Sequence, residues 1–223
     1  MDGQYDLNAG DFYAWLVSLR NALQNDTGTD VPCGACNACC RSSYFIHIKP
    51  TEKAALDRIN KRLLFPAPGF PRGHQVLGYD ETGRCPMFEN LSCSIYENRP
   101  MTCRYYDCRI FAATEIPPGE DEKVLIAQQV SRWKFTFPEH CDKDWHSALQ
   151  VAVHFIREHT DRFPEGTIPG NPTQLAVFAI KVCDVFLGIE SLAVCDISKK
   201  VHEVMEAAAK FGKDRESKSR KAS

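Results

Sequence analysis

The sequence predicts a mainly α protein with little β structure and a loop-rich region clasped by clustered cysteines. Three observations carry this. Eight of the eleven cysteines fall between Cys33 and Cys108, while Cys141, Cys183 and Cys195 follow singly. Apolar residues recur at helical spacing before that region and again behind it. Between the two lie proline- and glycine-rich stretches that forbid long regular elements.

Taken in order, Asp11 to Asn25 reads as a helix. Phe12, Trp15, Leu16, Leu19 and Leu23 share a face, and Asp11 is placed to cap it. Turn residues from Asn25 to Pro32 break it. Tyr44 to Ile48, aromatic and β-branched, reads as a short strand. Thr51 to Phe65 reads as a helix with Ala54, Ala55, Ile59 and Leu63 on one face, and Pro66 to Gly73 as a loop. Gly78 to Cys108 is turn-rich and expected to be metal-stapled. Asp144 to Thr160 reads as a helix with Leu149, Val153 and Ile156 inward. Asn171-Pro172 opens another helix, a capping side chain followed by proline at the first position, which Gly188 ends. Ser198 to Lys210 is a last amphipathic helix capped by Ser198. The expected organisation is an N-terminal helix (1–30), a cysteine-cluster domain (31–112), a helical region packed on it (113–212) and a disordered basic tail (213–223).

Composition narrows the function classes. Net charge is −2, without the basic excess of a nucleic-acid binder, so nucleic acid is not an expected partner. The start, Met1-Asp2-Gly3-Gln4, lacks a basic segment followed by an apolar one, so no secretory signal is read. The apolar run from Leu175 to Ile197 is broken by Lys181, Asp184 and Glu190, which argues against a membrane span. A cytoplasmic location is therefore expected. There the cysteines read as metal-binding or catalytic rather than as a disulfide framework, and their odd number points the same way.

Cys33-Gly34-Ala35-Cys36-Asn37-Ala38-Cys39-Cys40 is the strongest signal. Two residues between thiols close a tight loop that brings both sulfurs to one point. Small neighbours let backbone amides reach sulfur, which tunes iron–sulfur clusters, and zinc accepts the same thiolates. Two Cys-x-x-Cys steps sharing Cys36 resemble the front of a bacterial ferredoxin run, and Cys85-Pro86 adds to that likeness. Adjacent side chains tend to diverge, so Cys39 and Cys40 can serve different centres. One partition puts Cys33, Cys36, Cys39 and Cys85 on one centre and Cys40, Cys93, Cys103 and Cys108 on another. One centre with four spare thiols is equally open. From Val31 to Ala112 there are eleven Lys/Arg and seven Asp/Glu, and Arg41, Arg84, Arg99, Arg104 and Arg109 stand near cysteines, where they can offset thiolate charge.

The eight cysteines, Arg84-Cys85-Pro86, the Ile95-Tyr96-x-x-Arg99-Pro100-x-x-Cys103-Arg104 core and Tyr106-x-Cys108 together closely resemble the CxxCxxCC zinc- or iron-chelating domain family over roughly residues 30 to 110. The resemblance implies that Cys33, Cys36, Cys39, Cys40, Cys85, Cys93, Cys103 and Cys108 are metal ligands. It implies no settled activity.

Elsewhere the plainer readings are preferred. Cys183 and Cys195 are expected in the core. Cys141, in the polar run His140 to His146, is read as a turn residue rather than a further ligand. His47 and His74 are read as structural rather than as nitrogen ligands. Tyr96, Tyr105 and Tyr106 are read as space-filling beside a centre. No Ser-His-Asp order, P-loop, paired carboxylates or glycine-rich strand–turn–helix for an S-adenosyl group is present, so no catalytic residue is assigned.

The expected function is metal binding, with an iron–sulfur cluster of the four-iron four-sulfur type preferred and a redox role attached to it. Cys33, Cys36, Cys39 and Cys85 would hold that cluster. The alternatives are a structural or partner-binding module holding Zn²⁺ or iron ions, and a metal sequestration or delivery protein. Metal or cluster is the expected partner, with a protein partner open.

Overall fold

The structure is a computed structural model and describes residues 5–25, 27–29, 31–119, 123–189 and 196–221. Helix takes up about 52% of the chain and strand about 11%, so the mainly α expectation holds. Two compact units divide it. The helical unit is drawn from residues 1–26, 108–118 and 130–223, and the cysteine unit from 27–107 and 119–129. Among the described residues no helix is long and apolar enough to cross a membrane.

In the helical unit, strand β1 (Leu7–Asp11) leads directly into helix α1 (Phe12–Asn25). Asp11 accepts a hydrogen bond from Thr136 Oγ1 (2.5 Å), and the N–H of Tyr13 donates to Asp142 Oδ1 (2.8 Å). The cap on α1 is thus supplied from a distant helix rather than by Asp11 as expected.

The cysteine unit follows. Strand β2 (Ile46–Ile48) is the expected strand, shortened. The helix expected over 51–65 is not formed as such. It reduces to α2 (Lys53–Leu56), a 3-10 turn at Lys61–Leu63 and strand β3 (Leu64–Pro66). Asn60 accepts the Arg62 N–H (3.0 Å) and starts the turn. Phe65 then pairs with Val76 of β4 (Gln75–Leu77). Strand pairing overrides the helical period here, because a buried sheet face needs Leu64 and Leu77 inward. The sheet order is β2-β4-β3, all antiparallel. Ile48, Ile59, Leu77, Met87 and Ile95 form its buried core, against which Cys85 and Cys93 pack. A hairpin, β5 (Phe88–Glu89) with β6 (Ser92–Cys93), turns through Asn90 and Leu91, both at positive φ (49° and 65°). Helix α3 (Met101–Tyr105) closes the segment.

The chain next forms α4 (Arg109–Thr114), α5 (Val124–Arg132) and β7 (Trp133–Thr136). Strand β7 pairs in parallel with β1, from Leu7 opposite Trp133 to Asp11 opposite Thr136, with an irregularity between Asn8 and Gly10. Helix α6 (His140–Glu158) begins earlier than expected. Glu139 and Asp142 form a reciprocal capping box at its start, and this places Cys141 in a helical turn rather than a loop. Helix α7 (Pro172–Val182) starts as read, Asn171 Oδ1 accepting the Gln174 N–H (3.2 Å). It gives way to a 3-10 turn (Cys183–Phe186) before Gly188 at φ 74°. Helix α8 (Ile197–Lys221) is started by Asp196, which accepts the Lys199 N–H (3.1 Å), rather than by Ser198. Its backbone stays helical past Lys210, through residues expected as a disordered tail.

The core of this unit gathers Phe12, Leu16, Leu149, Phe155, Ile156, Ile180 and Phe186, all buried. Ala148, Ala152, Ala176 and Ala179 are also buried, and such small side chains let helices approach closely. Cys183 lies in this core as expected. Burial pushes its thiol up to about 11. Cys195 lies outside the described residues.

Candidate metal centre

A 3-10 turn at Ala38–Arg41 carries Cys39 and Cys40. It is held by the Cys40 N–H donating to Asn37 O (3.0 Å) and by the buried Ser42, whose Oγ donates to Ala38 O (2.7 Å). The backbone N–H of Cys85 donates to Cys40 O (2.8 Å), tying two distant cysteines through main chain. Beyond it, the Phe88 N–H donates to Cys85 O (2.9 Å), and Cys93 stands opposite Phe88 in the hairpin. Cys103 sits in α3. The Met101 N–H at the start of that helix donates to Glu52 Oε2 (2.6 Å), and Thr102 Oγ1 donates to His47 O (2.6 Å), fixing α3 against β2. Gly28 permits a further tie. A Cβ there would lie 2.9 Å from Arg104 Cβ, and the next residue, Thr29, donates its N–H to Arg104 O (2.8 Å).

These anchors gather Cys39, Cys40, Cys85, Cys93 and Cys103 into one electrostatic neighbourhood. The hydrogen bond it receives from the Cys40 thiol lowers Cys39 to about 7. Donating that bond holds Cys40 far above the ordinary thiol value, with burial and the charges of Cys39, Cys85 and Cys93 adding to the effect. Burial raises Cys103, and the charges of Cys39, Cys85 and Cys93 raise it further. Burial likewise raises Cys85 and Cys93, against hydrogen bonds from the Met87 and Ile95 backbone amides. Each of those bonds runs from the second residue after the cysteine, an N–H···S arrangement that favours the thiolate. Arg99, whose guanidinium lies 4.0 Å over the Tyr96 ring and donates to Tyr96 O (2.9 Å), pulls Cys39, Cys93 and Cys103 downward.

Electrostatic influence among these thiols thus links cysteines from both halves of the two-centre partition. Cys33 and Cys36 are half-buried and hold their own turn, the Cys36 N–H donating to Cys33 O (2.9 Å). Cys108 is buried in the helical unit, where its Sγ accepts the Trp133 indole N–H (3.2 Å). Arg109, expected as a counter-charge for thiolates, is buried in that unit, where Nη1 donates to Ala9 O (3.2 Å). Arg104 acts through main chain, its guanidinium donating to Arg99 O (3.1 Å) and to Glu97 O.

His47 and His74 meet each other, Nε2 to Nδ1 at 2.8 Å, with the Phe70 ring stacked on His47 at 4.3 Å. This pairing could not be read from spacing, because it is the antiparallel pairing of β2 with β4, His47 opposite Val76, that brings His74, just before β4, beside His47. Tyr106 donates to or accepts from Tyr44 (3.0 Å). Lys123 caps Ser42 O and lies 4.1 Å over the Tyr44 ring, a contact no spacing rule in the sequence indicated.

Among the described residues no group of three or more His, Cys, Asp or Glu side chains is placed to hold a metal ion. The donor chemistry nevertheless fits a thiophilic ion. Five thiols share one neighbourhood, and two of them receive backbone N–H bonds.

A family model matches part of the chain. It is CxxCxxCC, described as "Putative zinc- or iron-chelating domain", and it spans residues 32–130. Comparison with curated proteins and with solved structures finds no match.

Proposed function

Since residues 32–130 belong to the CxxCxxCC zinc- or iron-chelating family, we propose that this chain holds a single zinc or iron ion in a four-thiolate site built from Cys40, Cys85, Cys93 and Cys103, with Cys39 beside it. What supports this reading is the family match together with the backbone ties that link the cysteine segments, the Cys85 N–H donating to Cys40 O (2.8 Å) and the hairpin that carries Cys93. A zinc ion with sulfur at about 2.3 Å in a tetrahedron would need sulfur–sulfur edges of about 3.8 Å. The Met87 and Ile95 amides would hold Cys85 and Cys93 as thiolates. Arg99 would offset the negative charge that four thiolates leave around a divalent ion. When bound, the ion supplies cross-links between segments that otherwise share only a small core.

An iron–sulfur cluster is the second reading. The same N–H···S bonds favour it, since such bonds tune cluster potentials. Its ligands would include Cys33 and Cys36 with Cys39 and Cys85, and a redox role would follow from it.

Anaerobic purification with elemental and acid-labile sulfide analysis tests both. One zinc or iron per chain without sulfide supports the single-ion site. Iron with equimolar sulfide, and a brown colour bleached by dithionite, supports the cluster instead. Retention of full metal by each of Cys40→Ser, Cys85→Ser, Cys93→Ser and Cys103→Ser would overturn the ligand set.

A further inference from the structure

We infer that the outer face of the β2-β4-β3 sheet is a stacking platform for a single-stranded nucleic acid, a site distinct from the thiols and independent of the ion they hold. Side chains alternate across a strand. Ile46, Ile48, Leu64 and Leu77 belong to the apolar core on one side of the sheet. Phe45, His47, Phe65 and Val76 therefore stand on the other, with His47 and Phe65 both opposite Val76. Rings line that second face. Phe45 meets Phe65 edge-on (6.2 Å) and Tyr79 at a tilt (4.9 Å). Gly78, just past β4, has no side chain to part the first pair. A Cβ there would lie 3.5 Å from the Phe65 ring and 3.9 Å from the Phe45 ring. Two residues along β2 from Phe45, His47 carries the Phe70 ring stacked on it (4.3 Å, 26° between planes). Phe45 is 61% exposed, Phe70 54%, and Phe65 and Tyr79 40% each. Four large exposed rings gathered on one face mark a contact surface, where scattered ones would not.

Charge and shape select the occupant. The overall charge of −2 hides a local excess. From Phe45 to Tyr79, the stretch that holds every ring of the face, there are six Lys/Arg and two Asp/Glu. Glu52, one of the two acids, is engaged by the Lys49 and Met101 N–H groups. Asp80, which follows Tyr79, accepts from the Thr82 and Arg84 N–H groups. Lys61 and Arg62 lead into β3, Arg72 lies between Phe70 and His74 in the chain, and all three are exposed. Val76, the aliphatic member of the face, is buried, so what meets solvent is ring surface. An amphipathic helix docks by setting apolar anchors into a groove. Flat rings edged by cations suit bases stacked on them and phosphates beside them, and every base has a face to stack.

The full chain, its metal content measured, is titrated into fluorescein-labelled oligo(dT) and oligo(U) of about twelve nucleotides, and anisotropy is read. Saturable binding is expected, tighter than to a duplex of the same length. Phe45→Ala and Phe65→Ala are each expected to raise Kd about tenfold with denaturation midpoint and metal content held, while Phe65→Tyr keeps Kd within about threefold. Arg72→Gln is expected to lower the slope of log affinity against log salt by about 0.7, the share of one phosphate contact. Absence of saturable binding at about 100 µM chain overturns the inference. So does binding that neither Phe45→Ala nor Phe65→Ala weakens. Self-association of the chain, or capture by phosphatidylserine vesicles, that both variants abolish while no strand binds would assign the face to a second copy or to a membrane surface, and either result overturns the inference.

Discussion

Cys40, Cys85, Cys93 and Cys103 all have thiols raised above their ordinary value, Cys40 chiefly by the bond it donates to Cys39 and the other three chiefly by burial. Without metal, these four hold their protons at neutral pH. On the proposed four-thiolate reading, capturing an ion would displace about four protons, one per ligand thiol. Apparent affinity is expected to rise with pH, because protons compete less, and to fall steeply toward acid. Calorimetric titration of zinc in two buffers of different ionisation enthalpy measures the proton number directly. A count near zero would mean the thiols are already ionised. At this scale the sequence was readable where spacing alone does the work. The Cys-x-x-Cys turn, closed by the Cys36 N–H donating to Cys33 O, could be named from order along the chain. The convergence of Cys39 and Cys40 could not, because it depends on a 3-10 turn whose stabilising bonds, from Ser42 and Asn37, are set by tertiary context. Arg109 shows the converse. It stands one residue after a cysteine, yet its shown bond is to Ala9 O in the helical unit.

Elements that persist as single periodic runs were legible, and elements made by distant partners were not. Helix α7 carries its own start signal in Asn171-Pro172. Strands β1 and β7 carry none, since each is only a strand because the other lies beside it. The cap of α1 is likewise non-local. Asp142, almost wholly buried, accepts from the Tyr13 N–H and, through its other oxygen, from the Glu139 N–H (2.9 Å). Asp142→Ala would leave both donors without this acceptor and is expected to cost about 1–3 kcal/mol, read as a shift in denaturant midpoint. The β5–β6 hairpin offers the opposite test. Its two-residue turn has Asn90 and Leu91 both at positive φ, and Leu91 is 78% exposed. A left-handed conformation costs a side-chain-bearing residue about 1 kcal/mol, and glycine is the favoured second residue of such a turn. Leu91→Gly is therefore expected to stabilise the cysteine unit by roughly 1 kcal/mol. An unchanged or lowered denaturation midpoint would show that the Leu91 side chain makes compensating contacts.

At the scale of the molecule, the two units rest on different resources. The helical unit buries a large aromatic and aliphatic core with closely approaching alanine faces, while the cysteine unit has five core residues, short strands and turns. A small core of that kind usually needs a staple. Metal removal by a chelator under reducing conditions is expected to abolish amide protection in β2, β4 and the β5–β6 hairpin and to leave α6 and α7 protected. Hydrogen exchange read by mass spectrometry resolves the two. Uniform loss across both units would place the metal's stabilisation elsewhere. The broad division into an α-rich back and a cysteine-rich front was visible in composition. The assignment of α1 to the same unit as α6 and α8 was not, because it follows from packing between residues more than a hundred positions apart.

The parallel pairing of β1 with β7 sets an order of events during synthesis. Leu7 emerges from the ribosome early and must wait for Trp133 before it has a partner. Residues 27–107, the greater part of the cysteine unit, are by then already outside. The nascent chain thus exposes its thiols to cellular ions and oxidants while its first strand is still unpaired, and the helical unit closes only afterwards.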